Sequence, residues 1–250
     1  MNTGPLIAVL SINDASTSLT TKILLASLRR SMTDFVTTVF HNRPIAIANL
    51  PKVNTTEVSV PEIEGSVEKW PYPLASYLEP TPRQWVIIMD CSSVVLRPID
   101  HLIPTDASEQ FPAPEVDFYW TRAKGGSAST GVWAVRGEYL AAVSENWNVI
   151  LSEHHMLARD NEMFETEATD CEETLWTKFV GNLPLRKKSF EIGEIYAPKT
   201  GAIDWSAINS AALVTIPDWA EKDKWTFMQA LYFSKYFGDS TGLFLGILDP

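Results

Sequence analysis

At 250 residues the chain has room for one large domain, or a core with a small lobe, and its ordinary apolar, charged and aromatic fractions exclude disorder as the default. A net charge of −11 argues against a nucleic-acid backbone or an anionic membrane as main partner, since both reward clustered Lys and Arg. Two cysteines make no disulfide framework, no basic-then-apolar leader opens the chain, and no window nears the roughly 20 apolar residues of a membrane span, so the cytoplasm is the expected location.

The run Leu6–Leu10 reads as a buried strand. A polar stretch, Ser11 to Thr17, follows it. Leu19, Ile23, Leu24, Ser27 and Leu28 then recur at helical spacing, and Arg29 and Arg30 suit the negative end of that helix. Phe35–Phe40 is rich in β-formers, so the opening is strand, helix, strand, the unit of a parallel sheet. From Asn42 to Pro82 the signals are short: a strand at Val58–Val60 and a brief helix at Leu74–Leu78. Trp85–Met89 is the strongest strand signal, and its unbroken apolar character predicts a central strand covered on both faces. Asp90–Ser93 ends it, Val94–Leu96 follows, and Ile99–Ile103 forms a short helical turn.

The second half continues the alternation. Ser108–Pro114 is a loop, Val116–Thr121 a strand, Lys124–Gly131 a small-residue loop and Val132–Val135 a strand. Glu138 to Leu157 is a long helical pattern, and Asp160 to Glu173 is strongly acidic. Glu173–Val180 reads as helix, Phe190–Tyr196 and Leu213–Ile216 as strands, and Lys224–Phe237 as an amphipathic helix.

In an open α/β sheet, ligands bind beyond the carboxyl ends of the strands, which ranks Ser11–Thr17 and Asp90–Ser93 first. An acid closing a buried strand needs partners. Asp90 is therefore either a metal or ribose ligand, or an acceptor of backbone N–H groups in a turn. The nine Trp offer stacking faces for a sugar or base, or else fill the core. His154 and His155 beside Glu153 invite a metal-site reading, but neighbours on a helix point about 100° apart and chelate one ion poorly.

The segment Gln84–Ile103 resembles the central part of glycogenin-like, family 8 glycosyltransferases: a hydrophobic strand, Asp-x-Asp, an apolar run and an Asp-x-Leu helix start. Ser129–Val135 is similar to their Asn-Ser-Gly-Val strand, Asp170–Trp176 to a later acidic motif at a helix start, and Ile216–Trp225 to their closing segment. The resemblance implies a GT-A, nucleotide-diphospho-sugar transferase-like α/β fold: a mixed, mainly parallel central sheet with helices on both faces. It would make residues 1–250 one domain, with a nucleotide-binding half at about 1–105 and an acceptor half at about 106–250. It implies transfer of a hexosyl or pentosyl group from a nucleotide-sugar donor to a carbohydrate, lipid-linked or protein acceptor.

On the same resemblance Ser11, Asn13, Asp14, Asp90, Ser92, Ser129, Thr130 and Gly131 would hold the donor. Lys222 or Lys224 would meet the diphosphate charge, with Arg186, Lys187 and Lys188 as further cations. Glu172, Glu173 or Asp170 would act on the acceptor hydroxyl. Family members bridge the diphosphate with Mn²⁺ or Mg²⁺. Asp90 is the ligand available for that ion here, but the second acid of the motif is Ser92, and Val214-Thr-Ile216 stands where a His often closes the metal site. The alternative is an inactive relative that binds a sugar nucleotide or a protein. A sugar nucleotidyltransferase shares the fold, but Leu10–Thr20 contains no Gly for its signature loop.

Overall fold

The structure is a computed structural model that describes residues 5–11, 17–32, 35–42, 55–60, 77–102, 116–123, 126–163, 172–191, 193–198, 203–216 and 220–237. A seven-stranded sheet forms its centre, in the order β3-β2-β1-β4-β7-β6-β8. The strands are β1 (Leu6–Ser11), β2 (Val36–His41), β3 (Thr55–Ser59), β4 (Trp85–Asp90), β6 (Phe118–Arg122), β7 (Ala128–Arg136) and β8 (Lys187–Ser189). Pairings β1–β2, β1–β4, β2–β3 and β6–β8 are parallel, and β7 runs against both β4 and β6. The fold is thus mixed α/β with a mainly parallel sheet.

Both faces are covered, which explains the continuous apolar runs of β1 and β4. On one face α1 (Thr17–Ser31) sets Leu24, Leu25 and Leu28 against Ile7, Val9, Val39, Ile87 and Met89. On the other, α2 (Leu140–Met163) and α3 (Glu172–Asn182) set Val143, Trp147, Leu175, Trp176 and Phe179 against Leu10, Phe40, Ile88 and Trp133. A second sheet of three strands, β5 (Ser93–Val95), β10 (Leu213–Thr215) and β9 (Ile195–Tyr196), lies beside α1. Helices α4 (Trp205–Ser210) and α5 (Glu221–Phe237) close it through Ile208, Phe227, Met228 and Leu231. Among the described residues no helix is long and apolar enough to cross a membrane.

Several boundaries differ from the sequence reading. β7 begins at Ala128 and absorbs half of the small-residue loop, because Ala128–Gly131 are buried rather than exposed. The expected strand Phe190–Tyr196 is divided: β8 precedes it, and Gly193, at a φ of +94° that suits glycine, stands before the two residues of β9. α2 follows a 3₁₀ turn, Gly137–Tyr139, and runs on to Met163. The short helix at Ile99–Ile103 is a 3₁₀ turn, Asp100–Leu102. Most of the expected helix Leu74–Leu78, the loop Ser108–Pro114 and much of the acidic run Asp160–Glu173 lie outside the described residues.

Candidate functional site

The parallel strands β1, β2 and β4 end at one edge of the sheet, and antiparallel β7 begins there. The β1–β4 ladder closes at Leu10↔Asp90, the β1–β2 ladder at Ser11↔His41, and the β4–β7 ladder at Met89↔Val132. Gly131 therefore lies just beyond the last pair, next to Asp90. β6 pairs Trp120 with Trp133 and then Thr121 with Ser129, so residues 130–132 bulge out of that ladder. A bulge at such a rim re-aims the residues it contains. The Thr121 hydroxyl donates to the Val132 carbonyl at 2.7 Å and pins the bulge.

Asp90 is only 4% exposed, and one of its oxygens is engaged within its own turn. Its Oδ1 accepts the Ser92 N–H at 2.8 Å and the Ser92 hydroxyl as well. The turn is held to its neighbours on two sides: Cys91 N–H donates to the Leu10 carbonyl at 3.0 Å, and Ile216 N–H donates to the Ser92 carbonyl at 3.0 Å. Ser93 pairs with Thr215 across β5 and β10, and their hydroxyls lie 2.9 Å apart. Of the two readings of Asp90 the structure shows the second: it accepts an N–H within its own turn, and it does so at the carboxyl end of the strand.

The other predicted donor residues distribute as follows. Ser11 ends β1, buried, and accepts the Thr21 hydroxyl of α1 at 2.9 Å. Ser129 accepts the Gly131 N–H at 3.2 Å, and Thr130 is buried beside it. Gly131 packs so closely on Thr215 that a Cβ would lie 2.1 Å from its Oγ1. Ser11, Asp90, Ser92, Ser129, Thr130 and Gly131 are therefore gathered at one edge. Asn13, Asp14 and Asp170 lie outside the described residues. Lys222 and Lys224 both fall in the first turn of α5, and the Lys224 N–H donates to the Ala220 carbonyl at 2.9 Å. β10, which leads towards α5, ends against the Asp90 turn.

Glu172 and Glu173 open α3. Thr177 lies one helical turn after Glu173, and its Oγ1 accepts the Ala128 N–H at 3.0 Å. That bond ties the first turns of α3 to the start of β7. The further cations are engaged elsewhere. Arg186 grips Asp117 through Nε at 2.7 Å and Nη2 at 2.6 Å, before β6 and thus at the opposite edge of the sheet. Hydrogen bonding from Arg186 holds the Asp117 carboxyl below its ordinary value. Lys187 donates from Nζ to the carbonyls of Val180, Gly181 and Leu183, capping the end of α3, and burial lowers its pKa. Lys188 pairs with Glu191 at 3.0 Å.

Sequence reasoning singled out neither Thr177 nor His41, and it reached Ser93 and Thr215 only as members of the segments Asp90–Ser93 and Val214–Ile216. The bonds of Thr177, Ser93 and Thr215 depend on contacts between distant segments. His41 falls one residue past the expected end of its strand, where the β-forming pattern gives no further signal. Among the described residues no three His, Cys, Asp or Glu side chains gather as a metal would require. Trp133, Trp147 and Trp176 are fully buried, so these three serve the core and not a sugar.

No family model matches the sequence, and no curated protein does. Solved structures do. The glycosyltransferase GlyE of Streptococcus pneumoniae TIGR4, in its apo form, aligns with a TM-score of 0.55 at 10% identity over 95% of this chain. A second structure of GlyE aligns at 0.54, also with 10% identity, over 96%. The chain spans 64% of the GlyE length in both. A glycosyltransferase involved in the glycosylation of the major capsid of PBCV-1 aligns at 0.51 with 13% identity, over 90% of this chain and 98% of that one. The protein is therefore similar in fold to glycosyltransferases.

Proposed function

We propose that the protein is a glycosyltransferase that takes a sugar from a nucleotide-sugar donor, and that the donor lies along the edge formed by Ser11, Asp90–Ser92 and Ser129–Gly131. The observation that carries the reading is the position of Asp90. A carboxylate ends the central, doubly covered strand of a fold shared with glycosyltransferases, at the edge where such sheets bind ligands. A buried carboxylate at that place accepts hydroxyl or N–H groups well.

The described residues around Asp90 do not supply the oxygen ligands that a divalent metal takes. Ser92 brings a neutral hydroxyl where a second carboxylate would stand, and that hydroxyl donates to Asp90 itself. Thr215, not a His, closes the far side. No step is therefore routed through a metal. In the transfer, the bond between the sugar C1 and the diphosphate oxygen breaks, and a bond from C1 to the acceptor oxygen forms. The acceptor proton passes to Glu172 or Glu173 at the start of α3. The negative charge on the departing diphosphate is met by Lys222 or Lys224 at the start of α5, where the helix dipole adds to the attraction.

A second reading, a binder without turnover, is favoured by the closed pairing of Ser92 with Asp90. Thermal melting against UDP, GDP, CDP and ADP and their sugars, with Mn²⁺ or with EDTA, tests both. A nucleotide at 100 times its Kd raises stability by about 2.7 kcal/mol. The expected result is stabilisation by one or more nucleotides in EDTA, lost in Asp90→Ala while the far-ultraviolet spectrum stays native. Slow hydrolysis of the donor would separate the enzyme from the binder. Silence towards every nucleotide in both conditions would remove the proposal.

A further inference from the structure

Thr177 is an exposed residue in the body of α3, and Thr is a weaker helix former than Ala, Leu or Lys, so neither burial nor propensity asks for it there. Its bond does: Oγ1 accepts the Ala128 N–H at 3.0 Å. Ala128 is buried at the start of β7, beyond the β4–β7 ladder, which stops at Val132. The N–H of a buried residue needs an acceptor, and here a helix side chain supplies it.

The direction of α3 gives that bond a further role. Ala128 pairs with Arg122 at the end of β6. At the other end of β6, Phe118 pairs with Lys187, whose Nζ bonds the carbonyls of Val180, Gly181 and Leu183 as α3 finishes. α3 therefore begins at the edge where β7 begins, the edge of Asp90 and Gly131. Glu173 precedes Thr177 by four residues, about 6 Å of helix back towards that edge. Ala128 precedes Gly131 by three residues, roughly 10 Å of strand. Resting on the glycosyl-transfer reading above, we infer that Thr177 is a positioning residue. Its hydroxyl holds the start of α3, and with it the carboxylate that takes the acceptor proton, at a set distance from Ser129–Gly131. Thr177 acts only through that carboxylate, and a displacement of about 1 Å is enough to forfeit much of a base's effect.

Hydrolysis of UDP-, GDP-, CDP- and ADP-glucose by the intact chain tests this, with water in place of the acceptor and calorimetric titration of the four nucleotides beside it. Thr177→Val keeps the shape of the side chain without the accepting oxygen, and Thr177→Ser keeps the oxygen. Thr177→Val is expected to lower kcat about tenfold and to leave KM and nucleotide affinity unchanged. Thr177→Ser should recover most of the loss. In a chain that carries Glu172→Gln and Glu173→Gln, Thr177→Val should lower kcat no further. An unchanged kcat, a loss that falls on KM, no recovery in Thr177→Ser, or an equal loss when both acids are Gln would overturn the positioning role and leave the donor site standing. A wild type that binds a nucleotide but hydrolyses none of the four sugars would overturn the enzyme reading with it, and one that binds no nucleotide would overturn the donor site as well.

Discussion

Gly131 and Thr215 occupy a space that admits only one of their side chains. A Cβ on Gly131 would meet Thr215 Oγ1 at 2.1 Å, Cγ2 at 2.7 Å and Cβ at 2.9 Å. Gly131→Ala is expected to destabilise by about 1–3 kcal/mol, the ordinary cost of forcing atoms into a packed core. Thr215→Ala in the same chain removes two of the three obstructing atoms, so the pair should lose less than the two single changes together. Urea denaturation of the four proteins measures this, and strictly additive losses would refute the contact. The same residue shows what the sequence could convey. Gly131 reads in the sequence only as the end of a small-residue loop, because its close partner, Thr215, comes from β10, far along the chain. Asp90 was legible as an acid ending a buried strand. Its bond to Ser92 was not, because that depends on the shape of a turn.

Elements were legible where burial is two-sided and hidden where it is not. Trp85–Met89 announced β4 because both faces are covered. β8 reads Lys-Lys-Ser, an edge strand whose charges protect it from further pairing and also erase any apolar pattern. What holds β8 is polar: Lys187 on the last carbonyls of α3, and Arg186 on Asp117 ahead of β6. The second contact carries a pH signature. Asp117 is nearly buried and its folded pKa lies below the unfolded value of about 3.9. Its contribution is therefore complete above the unfolded pKa and disappears as pH falls through the folded one. Asp117→Asn should reduce stability most near neutral pH, and the gap to wild type should close in strong acid. A gap that is constant from neutral pH to strong acid would show that the charge of Asp117 does not matter.

At the scale of the molecule, alternation of strand and helix predicted a parallel sheet with covered faces, and the fold has covered faces and a sheet that is mainly parallel. It did not predict that β7 would run backwards, and this reversal brings Ser129–Gly131 to Asp90. The reversed strand is clamped by aromatic rings. Trp176 of α3 lies 4.9 Å from Phe179, 5.5 Å from Trp133 of β7 and 5.6 Å from Trp147 of α2, between ring centroids. Trp-rich composition was thus legible, but its use in joining three elements was not. Trp176→Ala removes the ring that all three share and should cost about 3–5 kcal/mol, with Trp176→Phe costing less. Because the cluster joins both helices to the central sheet, the loss should appear as a lower urea midpoint with an unchanged slope, the mark of one cooperative unit. A shallower slope, or an early transition confined to helical signal, would mean that α2 and α3 unfold apart from the sheet. The start of α3, which carries the Glu172 and Glu173 proposed to act on the acceptor, would then be free to leave β7.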